Sequence, residues 1–149
     1  MKPSIVIRKH KAEDNEALLQ IMRNNTPEYF AETEIEDYKT YLESEIQDYF
    51  VALLDNKIIA GTGINYDKDK QLAKISWDIV DKGYHQQGIG SLLLRHRLDI
   101  LATKKNIKSI IVRTSQLAYS FYEKHGFKLL ERHKDYWAEG FDMYKMILK

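Results

Sequence analysis

The chain has 149 residues and a formal net charge of +1, and is 44% hydrophobic and 30% charged. That size sets one hydrophobic core over residues 1–149 as the expectation; the balance excludes a disordered chain and lacks the basic stripe with which nucleic-acid binders neutralise phosphates. The absence of cysteine excludes disulfides, thiolate metal sites and a cysteine nucleophile.

The segment Met1-Lys2-Pro3-Ser4 opens no apolar leader, and no run approaches bilayer-spanning length. A soluble, cytoplasmic protein with no membrane partner is expected. Ser4 to Arg8 reads as a strand, and Ala12 to Asn24 as a helix with Leu18, Ile21 and Met22 on one face and Asp14 or Asn15 as cap. Asn24-Asn25-Thr26-Pro27 ends it, because the residue before proline avoids helical geometry. A loop with exposed Tyr29 and Phe30 leads to a second helix over Ile35 to Glu45, with Tyr38, Tyr41 and Leu42 facing inward.

Tyr49 to Leu54 and Lys57 to Tyr66 are apolar runs separated by Asp55-Asn56, a hairpin signal. A third run, Leu72 to Val80, completes an antiparallel meander. Ser91 to Thr103 is helical, with Leu94, Leu98 and Leu101 on one face. Ile107 to Arg113 is a strand, and Ala118 to His125 a helix stopped by Gly126. Lys128 to Trp137 and Phe141 to Leu148 are the last strands. The order is that of a mixed α/β domain with about seven strands and four helices.

Two segments carry chemistry. Gly83-Tyr84-His85-Gln86-Gln87-Gly88-Ile89-Gly90-Ser91 joins a strand to a helix. Its glycines allow a close backbone approach, and the free N–H groups of the first helical turn suit a phosphate or pyrophosphate. A tight connection with no ligand needs glycine equally. The spacing fits neither a P-loop, which requires a lysine before Ser or Thr, nor the dinucleotide fingerprint, whose third glycine is here Leu93. In the second segment, Ser115 to Phe127, residues Ala118, Phe121 and Tyr122 share a face. A phenol with a pKa of about 10 can protonate a departing thiolate; the competing reading is a core tyrosine with a backbone partner.

Together, the run His85-Gln86-Gln87-Gly88-Ile89-Gly90 and the later Ala118 with Tyr122-Glu123-Lys124-His125-Gly126-Phe127 resemble the GNAT superfamily of N-acetyltransferases, in order and in distance, within a strand pattern that matches along nearly the whole chain. The resemblance implies a mostly antiparallel sheet that splays where acetyl-CoA enters. Asp78, Ile79 and Val80 would end the strand that pairs with the pantetheine arm, and Gln86, Gln87, Gly88, Ile89, Gly90 and Ser91 would cradle the pyrophosphate. Tyr122 would be the general acid. His85 replaces the usual Gln or Arg, and Ser115 stands where many members carry an asparagine that touches the cofactor. The reaction implied is direct transfer of acetyl to a primary amine of a small molecule or protein, with no metal and no nucleic-acid partner. The fold it resembles commonly forms homodimers through its sheet edges.

The amine must lose a proton, so a base is needed. Asp78 is the candidate if Ser76, Asp78 and Val80 share a face; a salt-bridged carboxylate is the competing reading, and Glu34 and Glu139 are further acids. Trp77, Tyr29, Phe30, Tyr136 and Trp137 are candidates to frame an acceptor pocket. Five histidines in no ligand-like spacing predict no metal site. Two other functions stay open. One is a non-catalytic acyl-CoA-binding or regulatory module; the other is a toxin-like enzyme acting on aminoacyl-tRNA, against which the near-neutral charge speaks.

Overall fold

The computed structural model of the chain describes residues 4–149; Met1, Lys2 and Pro3 lie outside the described residues. In chain order it contains β1 (Ile5–Lys9), α1 (Asn15–Asn24), α2 (Glu34–Thr40), β2 (Asp48–Leu54), β3 (Lys57–Asp67), β4 (Leu72–Val80), α3 (Ile89–Ala102), β5 (Ser109–Thr114), α4 (Tyr119–Lys124), β6 (Lys128–Ala138) and β7 (Phe141–Leu148). The strands form one seven-stranded sheet in the order β1-β2-β3-β4-β5-β7-β6. Only β4 and β5 run parallel; all other neighbours are antiparallel. The mixed α/β sheet expected from the sequence is the one observed.

Local chemistry explains both the agreement and the exceptions. Asp55 and Asn56 adopt φ of 50° and 65°, the left-handed pair that a two-residue hairpin turn requires. The helix expected from Ala12 opens instead as a 3-10 turn over Ala12–Asp14. There Asp14 is drawn back to Arg8, at 2.8 and 2.9 Å, and to the Lys11 N–H at 2.8 Å. The second helix stops at Thr40 and continues as a π-type turn over Tyr41–Glu45, where Ser44 Oγ donates back to Thr40 O at 2.8 Å and loosens the helical ladder. Phe30, expected to be exposed, is partly buried and packs against the core cluster that includes Tyr38 and Leu42.

Helices cover both faces of the sheet. On one side α1, α2 and the turn after it bury Leu18, Met22, Tyr38 and Tyr41 against Val51 and Ile79. On the other, α3 and α4 bury Leu94 and Tyr122 against Ile75, Val112 and Met146. Among the described residues no helix is long and apolar enough to cross a membrane.

Two features prepare a site. The parallel pairing of β4 with β5 runs from Leu72↔Ser109 to Ile75↔Val112 and stops. Beyond it β4 continues beside β3 as far as Val80, and β5 beside β7 as far as Thr114, so the sheet opens between them. The β3–β4 register also shifts between Gly61 and Gly63, a bulge centred on Trp77, whose φ of 45° is an outlier for a bulky residue. A chain of buried hydroxyls holds it: Tyr38 donates to Tyr49 Oη at 2.6 Å, and Tyr49 donates to the Trp77 carbonyl at 2.8 Å. Gly63 permits this approach, since a Cβ there would stand 2.5 Å from Tyr49 Cδ1.

Candidate active site

The bulge determines where Asp78 points. Ser76 lies beside Tyr41 on the α2 side of the sheet, and Trp77 packs on Tyr38 on that same side, with ring centroids 5.0 Å apart. After the bulge the alternation is reversed, and Asp78 faces α3. The expectation that Ser76 and Asp78 share a face is therefore corrected: one extra residue in β4 separates them. Asp78 stands on the open side of the splay, past the last β4–β5 pair.

There it meets two side chains. Arg97 of α3, 1% exposed, places Nη2 2.9 Å from Asp78 Oδ2 and Nη1 2.5 Å from Oδ1. The contact to Oδ1 is ionic rather than a directed hydrogen bond, and this buried oxygen keeps accepting capacity. The rest of the guanidinium donates to Leu93 O and Gly63 O, both at 3.2 Å. Tyr122 of α4 donates its hydroxyl to Asp78 Oδ2. Burial and the Asp78 charge push the Tyr122 phenol well above its ordinary pKa, and the Arg97 charge opposes them. The candidate acid and the candidate base are thus one hydrogen-bonded pair, backed by a buried cation.

The sequence reading missed Arg97. The signal was present: Leu94, Arg97, Leu98 and Leu101 follow helical spacing, so a charge occupies the apolar stripe of α3 and demands a buried partner. The other acidic candidates do not reach this point. Glu34 is buried and accepts the Ala31 N–H at 2.8 Å, its carboxyl pushed up by burial. Glu139 is exposed in the β6–β7 turn.

The glycine turn opens α3. Gly88 is its N-cap residue with φ 79° and ψ 3° and makes no side-chain cap. The N–H groups of Ile89, Gly90 and Ser91 therefore have no helical acceptor. A Cβ at Gly88 would meet nothing within 4 Å, so the space beside this turn is open. The left-handed φ favours glycine there. A pyrophosphate fits this cradle, which offers backbone donors and the positive end of a helix dipole.

Side chains of the remaining predicted residues are largely engaged elsewhere. Ile79 and Ile89 are buried in the core and Val80 packs beside Ile89, leaving only backbone for a ligand. His85 turns back, its Nε2 2.7 Å from Val80 O and its ring edge-on to Tyr29. The Val80 carbonyl also accepts from Asn25 Nδ2 at 3.0 Å, so both its lone pairs are used. The expected His85–phosphate contact is not what this rotamer prepares. Gln87 Nε2 donates to Gly83 O, while Gln86 is exposed with φ 63°. Ser91 Oγ pairs with His125 Nε2 at 3.1 Å, tying the start of α3 to the end of α4. Ser115 Oγ accepts the Leu117 N–H at 3.2 Å, a local turn bond. The described residues contain no cluster able to hold a metal ion.

Over residues 15–127 the sequence matches the acetyltransferase (GNAT) family. The chain belongs to the GNAT acetyltransferases. No curated protein matches it. Its fold is similar to a GNAT-family structure from Desulfovibrio desulfuricans, with TM-score 0.82 at 14% identity over 98% of this chain and 99% of that one. The ribosomal-protein-S18-alanine N-acetyltransferase from Escherichia coli aligns with TM-score 0.79 at 18% identity, over 97% of this chain and 93% of that one. The PaiA N-acetyltransferase from Thermoplasma acidophilum, determined in complex with coenzyme A, gives TM-score 0.71 at 24% identity over 98% and 99%. At these identities the likeness is one of fold. The N–H cradle and the Tyr122–Asp78 pair lie on the side of the sheet that α3 and α4 cover.

Proposed function

We propose that the protein transfers the acetyl group of acetyl-CoA to a primary amine, of a small molecule or a protein, by direct attack and without a covalent enzyme intermediate. The observation that carries this reading is the Tyr122–Asp78–Arg97 network standing in the splay beside the open N–H cradle of α3. The CoA complex of the PaiA neighbour supports the donor. The N-acetyltransferase neighbours support an amine acceptor.

Acetyl-CoA supplies the activated thioester when bound. The chain's own residues do the rest. Ile89, Gly90 and Ser91 hold the pyrophosphate through backbone N–H groups, and Gly88 leaves room for it. Val80, whose carbonyl is already occupied, offers its N–H to the pantetheine arm. Tyr122 Oη accepts the proton that the amine must lose as its own proton passes to Asp78 Oδ2. When the thiolate departs, Tyr122 protonates the sulfur and Asp78 returns the stored proton. Nothing is lost or gained: one proton moves from nitrogen to sulfur. Arg97 does not touch the reacting atoms; it positions Asp78 and keeps its charge tolerable in a buried place.

Calorimetric titration with acetyl-CoA, with CoA and NAD as controls, tests the donor, and thiol release with a panel of amines tests transfer. Micromolar binding of acetyl-CoA but not NAD, with amine-dependent thiol release, is expected. Binding without release from any amine would instead support the non-catalytic module, for which the Tyr122 proton, turned toward Asp78, is the favouring observation.

A further inference from the structure

The two faces of the sheet are covered unequally. α3 and α4 pack across β2 to β5 and β7 on one side, whereas α1, α2 and the turn after α2 pack over β2, β3 and β4 on the other. Beyond β4, that second face carries no helix among the described residues. A half-open depression of about 320 Å³ lies there, lined by the cations Lys70, Lys74, Arg113 and Lys145 and also by the acids Asp67 and Glu131.

The cations in it form no close ion pair among the described residues. Arg113 of β5 stands directly opposite Lys145 of β7, and like charges so placed repel. Neither has a carboxylate within 4.0 Å among the described residues. Glu131 faces Lys145 from β6, yet its carboxylate stands 3.6 Å from His133 Nε2 and not within ion-pair distance of Lys145. Asp67 accepts the Lys70 N–H within the β3–β4 turn at 3.2 Å. Arg113 is held by aromatics instead of an acid: its guanidinium lies 5.1 Å from the Tyr136 ring and 5.5 Å from the Trp137 ring and donates to the Tyr136 hydroxyl. The guanidinium is exposed and lies over two rings; its planar fork, with N–H groups to spare, suits a carboxylate.

Arg113 lies on the face opposite the Tyr122–Asp78 pair, at the gap between β4 and β5. Val112 is the last β5 residue paired with β4, so Arg113 is the first residue on the lip of the splay. We infer that this basic face holds a carboxylate carried by the acceptor itself, which makes the acceptor an amino carboxylate rather than a simple alkylamine. The volume is at the small end for ligand sites and suits a molecule of amino-acid size. This inference rests on the acetyl-transfer reading above and names its substrate class.

The test pairs kinetics with binding. Thiol release is measured with a series of ω-amino carboxylates and with alkylamines of the same length. The carboxylates should show KM lower by about tenfold or more, the worth of a charge-assisted hydrogen-bonded pair. In Arg113→Gln that advantage should vanish, with KM for the carboxylate rising to that of its matched amine. Independently, glutarate is titrated into the wild-type protein while the two indole N–H resonances are followed by NMR. Trp137 should move saturably, Trp77 should not, and Arg113→Gln should abolish the movement. Equal KM values for the two series, or a preference that survives Arg113→Gln, would overturn the inference while leaving acetyl transfer intact. A saturable Trp137 shift with no thiol release from any amine would uphold the carboxylate site and sink the transfer reading instead. A Trp137 resonance that glutarate leaves unmoved overturns the site directly.

Discussion

Arg97 offers the sharpest energetic test, because its burial leaves little room for compensation. The side chain is 1% exposed and Asp78 is 21% exposed. Replacing it in Arg97→Met keeps much of the volume but strands the Asp78 carboxylate with the Tyr122 hydroxyl as its one remaining side-chain donor among the described residues. It also frees the carbonyls of Gly63 and Leu93. Breaking a buried pair by removing one partner costs about 3–5 kcal/mol. For a chain of this size, each kcal/mol lowers Tm by roughly 2–4 °C, so a fall of roughly 6–20 °C is expected in thermal unfolding. Asp78→Asn strands the guanidinium and should cost a comparable amount. The double variant removes both charges, and its loss should be smaller than the sum by about 2 kcal/mol or more. Additivity within about 0.5 kcal/mol, the behaviour of independent sites, would refute the reasoning that these two charges hold each other.

Three further outcomes follow from other parts of the molecule. Gly88→Val should abolish acetyl-CoA binding in calorimetry, since φ of 79° strains any branched residue and the new side chain enters the open cradle; undiminished affinity would remove the pyrophosphate assignment. Tyr49→Phe leaves the Tyr38 hydroxyl and the Trp77 carbonyl without their partner, which should cost about 1–3 kcal/mol in urea unfolding and slow thiol release by misaiming Asp78. Asp14, hydrogen-bonded by Arg8, has its carboxyl held below the usual range, with burial opposing. The unfolded chain therefore binds this proton more readily, and the contribution is present above the ordinary carboxylate pKa of about 3.9 and lost as pH falls through the lower folded value. Asp14→Asn should be less stable than wild type at neutral pH, with the gap closing in acid; a gap constant down to about pH 2 would contradict the pairing.

Much of the fold was legible in the sequence because its signals are local. Asp55-Asn56 announced a left-handed turn, apolar runs of strand length flanked it, and Leu94, Leu98 and Leu101 fixed the inner face of α3. The glycine turn and the Tyr122 helix were legible for the same reason, since backbone freedom and helical spacing are both read within a few residues. The bulge at Trp77 was not. It depends on Tyr49 reaching across from β2 through the space that Gly63 leaves, a relation between distant segments that no window contains. That single residue reverses the alternation of β4, so the face of Asp78 could not be counted from Ser76. The partner of His85 was hidden for a related reason: its ring nitrogen lies against the Val80 carbonyl five residues back, which a phosphate motif read alone does not reveal. The Arg113–Lys145 pairing likewise exists only once β5 and β7 lie side by side.

The central claim is that Tyr122 handles the proton in transfer. Its most direct test is the turnover of Tyr122→Phe at saturating acetyl-CoA, followed by thiol release with an accepted amine and accompanied by the calorimetric affinity for the donor. The account predicts a rate lower by about ten- to a hundredfold, the scale of general acid–base help, with donor affinity unchanged. Full turnover in Tyr122→Phe would contradict it and leave the phenol as no more than a buried partner of Asp78.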